Sequence, residues 1–292
     1  MLCPPQRDNI VPPASFGKST AHKWPEVDGK FARSPPFATT WPRHAKFDSA
    51  QVGGGPEAAL LDYVNSHPEI ERFRGDPAAI LRIIDEFSRS VTGLVIIRQP
   101  KGAIITDIVS RRRPVGILEL GGYAGYSATM FAAALQKSGG TQYYSVEMNP
   151  EFSAVASSLI ELAGLKDMIT VVVGKGAEGI QRPHDSCAFA GYVDMVFIDH
   201  GKADYTSDLK LCESFGLIEF CTVIVADNMI WPGNPDYVEW VRSSVAEKED
   251  LDKSSEIKGN PKLEYSSRSI ESVCASGHVD AMEVTMCLGM ES

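Results

Sequence analysis

Val115 to Ser127 reads VGILELGGYAGYS, an apolar run followed by a glycine-rich turn. Val115 to Leu120 is short, apolar and bounded by Pro114 and Gly121, as expected of a strand buried on both faces of a parallel sheet. Gly121, Gly122 and Gly125 let the backbone turn tightly and approach a ligand with no Cβ in the way. From Ser127 the segment SATMFAAAL is rich in helix formers. The free N–H groups of its first turn, with the Ser127 hydroxyl, are predicted to face a bound carboxylate.

The next predicted strand, Gln142 to Val146, runs into Glu147, where a doubly wound fold places a ribose-binding acid. The glycines are not spaced as G-x-G-x-x-G, which counts against a pyrophosphate ligand. A sulfonium cofactor such as S-adenosylmethionine carries a ribose and an amino-acid carboxylate but no phosphate, and suits this pocket better.

Working outward, β and α segments alternate. Strands are predicted at Met168–Val173, Tyr192–Ile198 and Ile218–Ala226, with a closing pair at Leu263–Ile270 and Ala281–Leu288. Helices are predicted from Pro56, from Asp76-Pro77 to Arg89, over Lys101–Arg111, from Asn149-Pro150 to Ala163, over Ser207–Phe215 and over Pro235–Val245. Lys248–Lys262 is charged and punctuated by Gly and Pro, and is predicted to be a loop. Such alternation implies an α/β, mostly parallel seven-stranded sheet with helices on both faces. Residues 1–55 hold nearly half of the 18 prolines and form a Pro-rich extension, through which Trp24, Phe31, Phe37 and Trp41 could pack on the core. The catalytic domain is predicted to span residues 56–292.

The 292 residues carry a formal net charge of −10, which argues against nucleic-acid and anionic-membrane partners. Arg111-Arg112-Arg113 reads as a solvated helix end. Six cysteines without a C-x-x-C pair suit free thiols in a reducing compartment, and no apolar run is long enough to span a membrane. A cytoplasmic monomer acting on a small molecule is expected.

Two further strand ends carry candidate chemistry. One runs into Asp199-His200-Gly201-Lys202, the other into Asp227-Asn228. In an open parallel sheet the C-terminal strand ends converge on the ligand crevice, on the same side as the glycine turn. Two carboxylates and an amide oxygen are hard ligands suited to Mg²⁺. A lysine beside a dication and a sulfonium has its ammonium form disfavoured, which makes Lys202 a candidate general base.

LELGGYAGYS, VEMNP, LAGLKD, DMVFIDHGKADY and VADNMIWPGNPDY, preceded by RGDPAAILRIIDEF and PKGA, resemble the catechol O-methyltransferase family in order and spacing. The resemblance implies a Rossmann-like class I methyltransferase fold, S-adenosylmethionine and Mg²⁺. It implies cofactor contacts from Ile97, Glu119, Gly121, Tyr123, Ser127, Glu147, Met148, Gly176, Asp199 and His200, with Glu147 on the ribose. It also implies metal ligands Asp199, Asp227 and Asn228, Lys202 as base, and Glu271 as the acid that orients the second hydroxyl of a catechol. Asn228, Trp231 and Pro232 join Lys202 and Glu271 around the substrate.

The chain also departs from the family. Two tryptophans that wall the catechol appear here as Gly93 and Gly201, and a methionine as Val95, while Trp231 supplies a replacement wall. In the adenine loop Gly176 and Ala177 replace polar residues. Two alternatives are an O-methyltransferase of the related caffeoyl-coenzyme-A type acting on a larger vicinal diol, and a non-catalytic binder of the cofactor.

Overall fold

The computed structural model describes residues 55–291 apart from 187, 188, 190 and 274–276. The expectations for the N-terminal extension, its four aromatic residues and Cys3, Cys187 and Cys274 lie outside the described residues.

Seven strands form one sheet: β1 (Gly116–Leu120), β2 (Gln142–Glu147), β3 (Ile169–Val173), β4 (Met195–Ile198), β5 (Val223–Ala226), β6 (Leu263–Val273) and β7 (Val279–Met290). Their order is β3-β2-β1-β4-β5-β7-β6. The first five run parallel, while β7 is antiparallel to β5 and to β6. This is the mostly parallel seven-stranded sheet that the alternation predicts. The helices are α1 (Pro56–Asn65), α2 (Ile70–Phe73), α3 (Pro77–Ser90), α4 (Lys101–Arg112), α5 (Tyr126–Lys137), α6 (Pro150–Leu162), α7 (Gly176–Asp185), α8 (Tyr205–Ser214), α9 (Pro235–Arg242) and α10 (Val245–Lys253). Among the described residues no helix is long and apolar enough to cross a membrane.

The central strands are buried along their whole length because both faces are covered. Phe197 of β4 meets Phe131 of α5 edge to face at 5.2 Å. Its neighbours Val196 and Ile198 point the other way, into a core with Tyr205, Leu209 and Trp240. Each such side chain contributes about 1.5–3 kcal/mol by leaving water. Helix starts follow the sequence signals: Asp76 accepts from Ala78 N and Ala79 N, and Asn149 accepts from Glu151 N.

Several boundaries differ from expectation, and three of them have clear local causes. β4 starts at Met195 rather than Tyr192, because the Asp194 carboxylate takes the N–H groups of Val115 and Gly116, each at 2.9 Å. β5 starts at Val223 rather than Ile218, because Glu219 to Thr222 closes a turn with Cys221 at φ 73°. The stretch predicted as a loop from Lys248 holds most of α10, which starts on a capping box between Ser244 and Glu247. Lys248 is buried there, donating to the Leu263 carbonyl and lying over the Trp240 and Tyr265 rings. Arg112 is less free than a solvated helix end, since its guanidinium donates to the Cys221 carbonyl at 3.3 Å.

Candidate active site

Register places the site. Leu120 pairs with Val146 and with Ile198, and Ile198 pairs with Ala226. The next residue on each strand is therefore Gly121, Glu147, Asp199 and Asp227, four positions on one rung at the C-terminal edge. Adjacent strands are about 4.8 Å apart, so Asp199 and Asp227 on neighbouring strands are close enough for one ligand set, while Glu147 lies two further strands away. Backbone bonds continue past the strand ends and fix it, from Gly121 N to Val146 O and from Asp199 N to Leu120 O at 2.9 Å, and from Asp227 N to Ile198 O at 3.0 Å.

On the glycine side, Gly121 has φ 102°, and a Cβ there would lie 2.7 Å from the Asp199 carbonyl. A Cβ at Gly122 would strike the Ser145 hydroxyl. The Glu147 carboxylate is held by two backbone donors at 2.8 Å, Tyr123 N on one oxygen and Asn149 N on the other. Tyr123, at φ 44°, hydrogen-bonds through its hydroxyl to buried Glu57 of α1. Ser127 lies in the first turn of α5 behind Gly125. Ile97 is buried, whereas Met148 is exposed. Gly176 has φ 50°, and its Cβ position faces Asp208. His200 stacks on Tyr205 and bonds Asp208 through Nε2 at 2.9 Å. Its Nδ1 is buried with no partner among the described residues.

Glu119 is fully buried, and Ser145 Oγ donates to its Oε2 at 2.6 Å. Its Oε1 has no hydrogen-bond partner among the described residues. Burial pushes this carboxyl from an ordinary 4.5 up to about 7, against the hydroxyls of Ser127 and Ser145. The folded state therefore keeps a proton that the unfolded chain releases near pH 4.5. The stability this group contributes is full below that pH, falls as pH rises to about 7 and is level above it. The loss is on the order of 3 kcal/mol. Glu119→Gln is expected to flatten that segment of the profile, as read by urea melts of both proteins from acid to neutral pH. An unchanged slope would place its origin in other groups.

On the acid side, Lys202 Nζ lies 3.0 Å from Asp199 Oδ1 and 2.5 Å from the Tyr205 hydroxyl, and Asn234 Nδ2 donates to the Lys202 carbonyl. Burial and nearby Asp199 push the Asp227 carboxyl up to about 6, although Lys101 opposes the rise. Asn228 sits at φ 65° in the left-handed region, which asparagine tolerates. Trp231 is 72% exposed, and it precedes Pro232 through a cis peptide bond. Glu271 is exposed near the end of β6, opposite Ala281.

Two buried residues that the sequence reading did not place in the site belong to this cluster. Lys101 Nζ contacts Asp227 at 2.6 Å and Asp280 at 2.7 Å. The signal for Lys101 was the PKGA segment, and for Asp280 an acid opening the last apolar strand. Among the described residues no three His, Cys, Asp or Glu side chains form a metal-binding group. The candidate cation set is two carboxylates and one carboxamide.

The O-methyltransferase family model matches residues 94–272, well over half of the chain. The chain belongs to the O-methyltransferase family. The match covers the glycine turn, both acidic strand ends and Glu271, and stops short of Asp280. This O-methyltransferase is 35% identical to the catechol O-methyltransferase of Bos taurus over 196 residues, 66% of this chain and 68% of that one. It is 38% identical to catechol O-methyltransferase B of Danio rerio over 185 residues, 63% of this chain and 67% of that one. An O-methyltransferase from Bacillus cereus, solved in complex with SAH, shares the fold with a TM-score of 0.53 at 19% identity. That alignment covers 79% of this chain and 96% of the other.

Proposed function

We propose that this enzyme transfers the methyl group of S-adenosylmethionine to one hydroxyl of a catechol-type acceptor chelated to Mg²⁺. The observation that carries the reading is the shared rung, which sets Asp199 beside Asp227, with Asn228 following and Lys202 on Asp199. Asp199 raises the proton affinity of Asp227 on the adjacent strand, so a cation beside the two is favoured, and oxygen donors fit a hard one. The buried, unpartnered polar atoms Glu119 Oε1 and His200 Nδ1 similarly mark positions that a polar ligand such as the cofactor would satisfy.

Asp199, Asp227 and Asn228 would hold the metal. When bound, Mg²⁺ supplies charge that acidifies a chelated hydroxyl, and S-adenosylmethionine supplies an electrophilic methyl. Lys202 Nζ, having released its own proton to solvent, would take the proton of the hydroxyl to be methylated, and Glu271 would accept a hydrogen bond from the neighbouring hydroxyl. Glu147 binds the ribose hydroxyls with the lone pairs that Tyr123 and Asn149 leave free. Most of the acceleration comes from orientation, for which about 7–11 kcal/mol is available in well-positioned systems.

The deciding experiment is transfer of labelled methyl from S-adenosylmethionine to a panel of catechols, with Mg²⁺ and with a chelator. Chelator-sensitive labelling is the expected result. Cofactor binding without transfer to any diol would support a non-catalytic binder.

A second reading, a larger vicinal diol as acceptor, is favoured by the two glycines. A Cβ on Gly93 would meet nothing within 4 Å, and one on Gly201 would meet only the Asp204 carboxylate, at 3.4 Å. Val95 nearby is 67% exposed. Gly93→Trp is expected to fold with an unchanged melting temperature and to raise the KM of bulky diols by several-fold relative to catechol. Equal effects on both acceptors would show that residue 93 does not border the substrate.

A further inference from the structure

We infer that Asp280 is a positioning residue that fixes the Asn228 carboxamide and the backbone of the Trp231 wall from a single carboxylate. The inference rests on the proposed role of Asn228 as a metal ligand.

Asp280 opens β7 and is 2% exposed. Its Oδ1 accepts from Ile230 N and Trp231 N at 3.0 Å and from Ala281 N at 2.8 Å. Its Oδ2 accepts from Asn228 Nδ2 at 3.0 Å and Lys101 Nζ at 2.7 Å. Five donors from α4, the 228–231 turn and β7 thus converge on one side chain.

The bond to Asn228 decides which end of the carboxamide is available. With Nδ2 committed to Asp280, Oδ1 is turned away; a flipped amide would set oxygen against oxygen and lose the bond. The other carboxylate oxygen holds the two peptide N–H groups that lead into Trp231 and Pro232. One group thereby sets a ligand oxygen and a substrate wall together. Asparagine at 280 could not do both, because its amide replaces an accepting oxygen by a donor. Lys101 would still be paired with Asp227, so that substitution strands no buried charge.

Asp280→Asn removes the charge, whereas Asp280→Glu keeps it and displaces the oxygens by one methylene. The test is the Mn²⁺ dissociation constant, from the electron paramagnetic resonance of free Mn²⁺, for wild type and both variants. S-adenosylmethionine calorimetry on the same samples reports whether the glycine half of the site is folded. Both variants are expected to bind Mn²⁺ about 10- to 100-fold more weakly, with cofactor affinity retained. Unchanged Mn²⁺ affinity in both overturns the inference, as does a loss confined to Asp280→Asn, which would mean that charge and not position matters. No Mn²⁺ binding by the wild type overturns the metal reading itself. Should the variants not fold, wild-type ¹⁵N spectra decide. Exchange-protected Asn228 side-chain NH₂ signals that shift on adding Mg²⁺ are expected, and rapidly exchanging ones overturn the inference.

Discussion

Lys202→Met is expected to lower kcat by about 10²- to 10⁴-fold, the range a positioned general base contributes, while leaving cofactor affinity intact. Methionine has nearly the same length, so the packing beneath the side chain is kept and the ammonium alone is lost. That ammonium contacts Asp199 Oδ1 at 3.0 Å and lies 4.6 Å from the centre of the Tyr205 ring. Its removal frees Asp199 of a competing cation, so Mn²⁺ affinity should hold or rise, the opposite of the effect at Asp280. Single-turnover rates and cofactor calorimetry measure the two quantities. A variant that turns over near the wild-type rate would take the base role away from Lys202.

Glu147→Ala is expected to weaken S-adenosylmethionine binding about 100-fold, close to 2.7 kcal/mol, a loss in the range of one or two charged hydrogen bonds. The carboxylate has a second task, since its oxygens accept the N–H groups of Tyr123 and Asn149. Truncation leaves both donors without that acceptor and should also lower the melting temperature. Glu147→Gln keeps one accepting oxygen and should fall between the two. Calorimetry reads the affinity, and wild-type affinity in the alanine variant would move the ribose to another group.

Much of this site was legible because it hangs on strand ends. A buried parallel strand announces itself as a short apolar run, and the residue after each run, Gly121, Glu147, Asp199 or Asp227, falls on the same rung once the order of strands is known. Asp280 was not legible in that way. Its strand runs against the others, so its N-terminal end meets the crevice, and it enters through pairing with β5, which no local pattern encodes. Lys101 lies on a helix whose apolar periodicity says nothing about which cation will be buried. The early start expected for β4 failed because Tyr192 to Asp194 looks like strand, yet Asp194 ends the pairing by taking two backbone donors from the neighbouring strand. Helix α10 was hidden by its charge, since the stretch carries few apolar residues and is tied down by a buried lysine stem.

The close approach of Gly121 to the Asp199–His200 peptide joins the two halves of the crevice. The loop proposed to receive the cofactor and the loop proposed to supply a cation ligand touch backbone to backbone, with no room for even a methyl group. A displacement of one is expected to displace the other, which would couple the proposed cofactor and cation sites. Whatever factor the cation contributes to cofactor affinity, the cofactor returns to the cation.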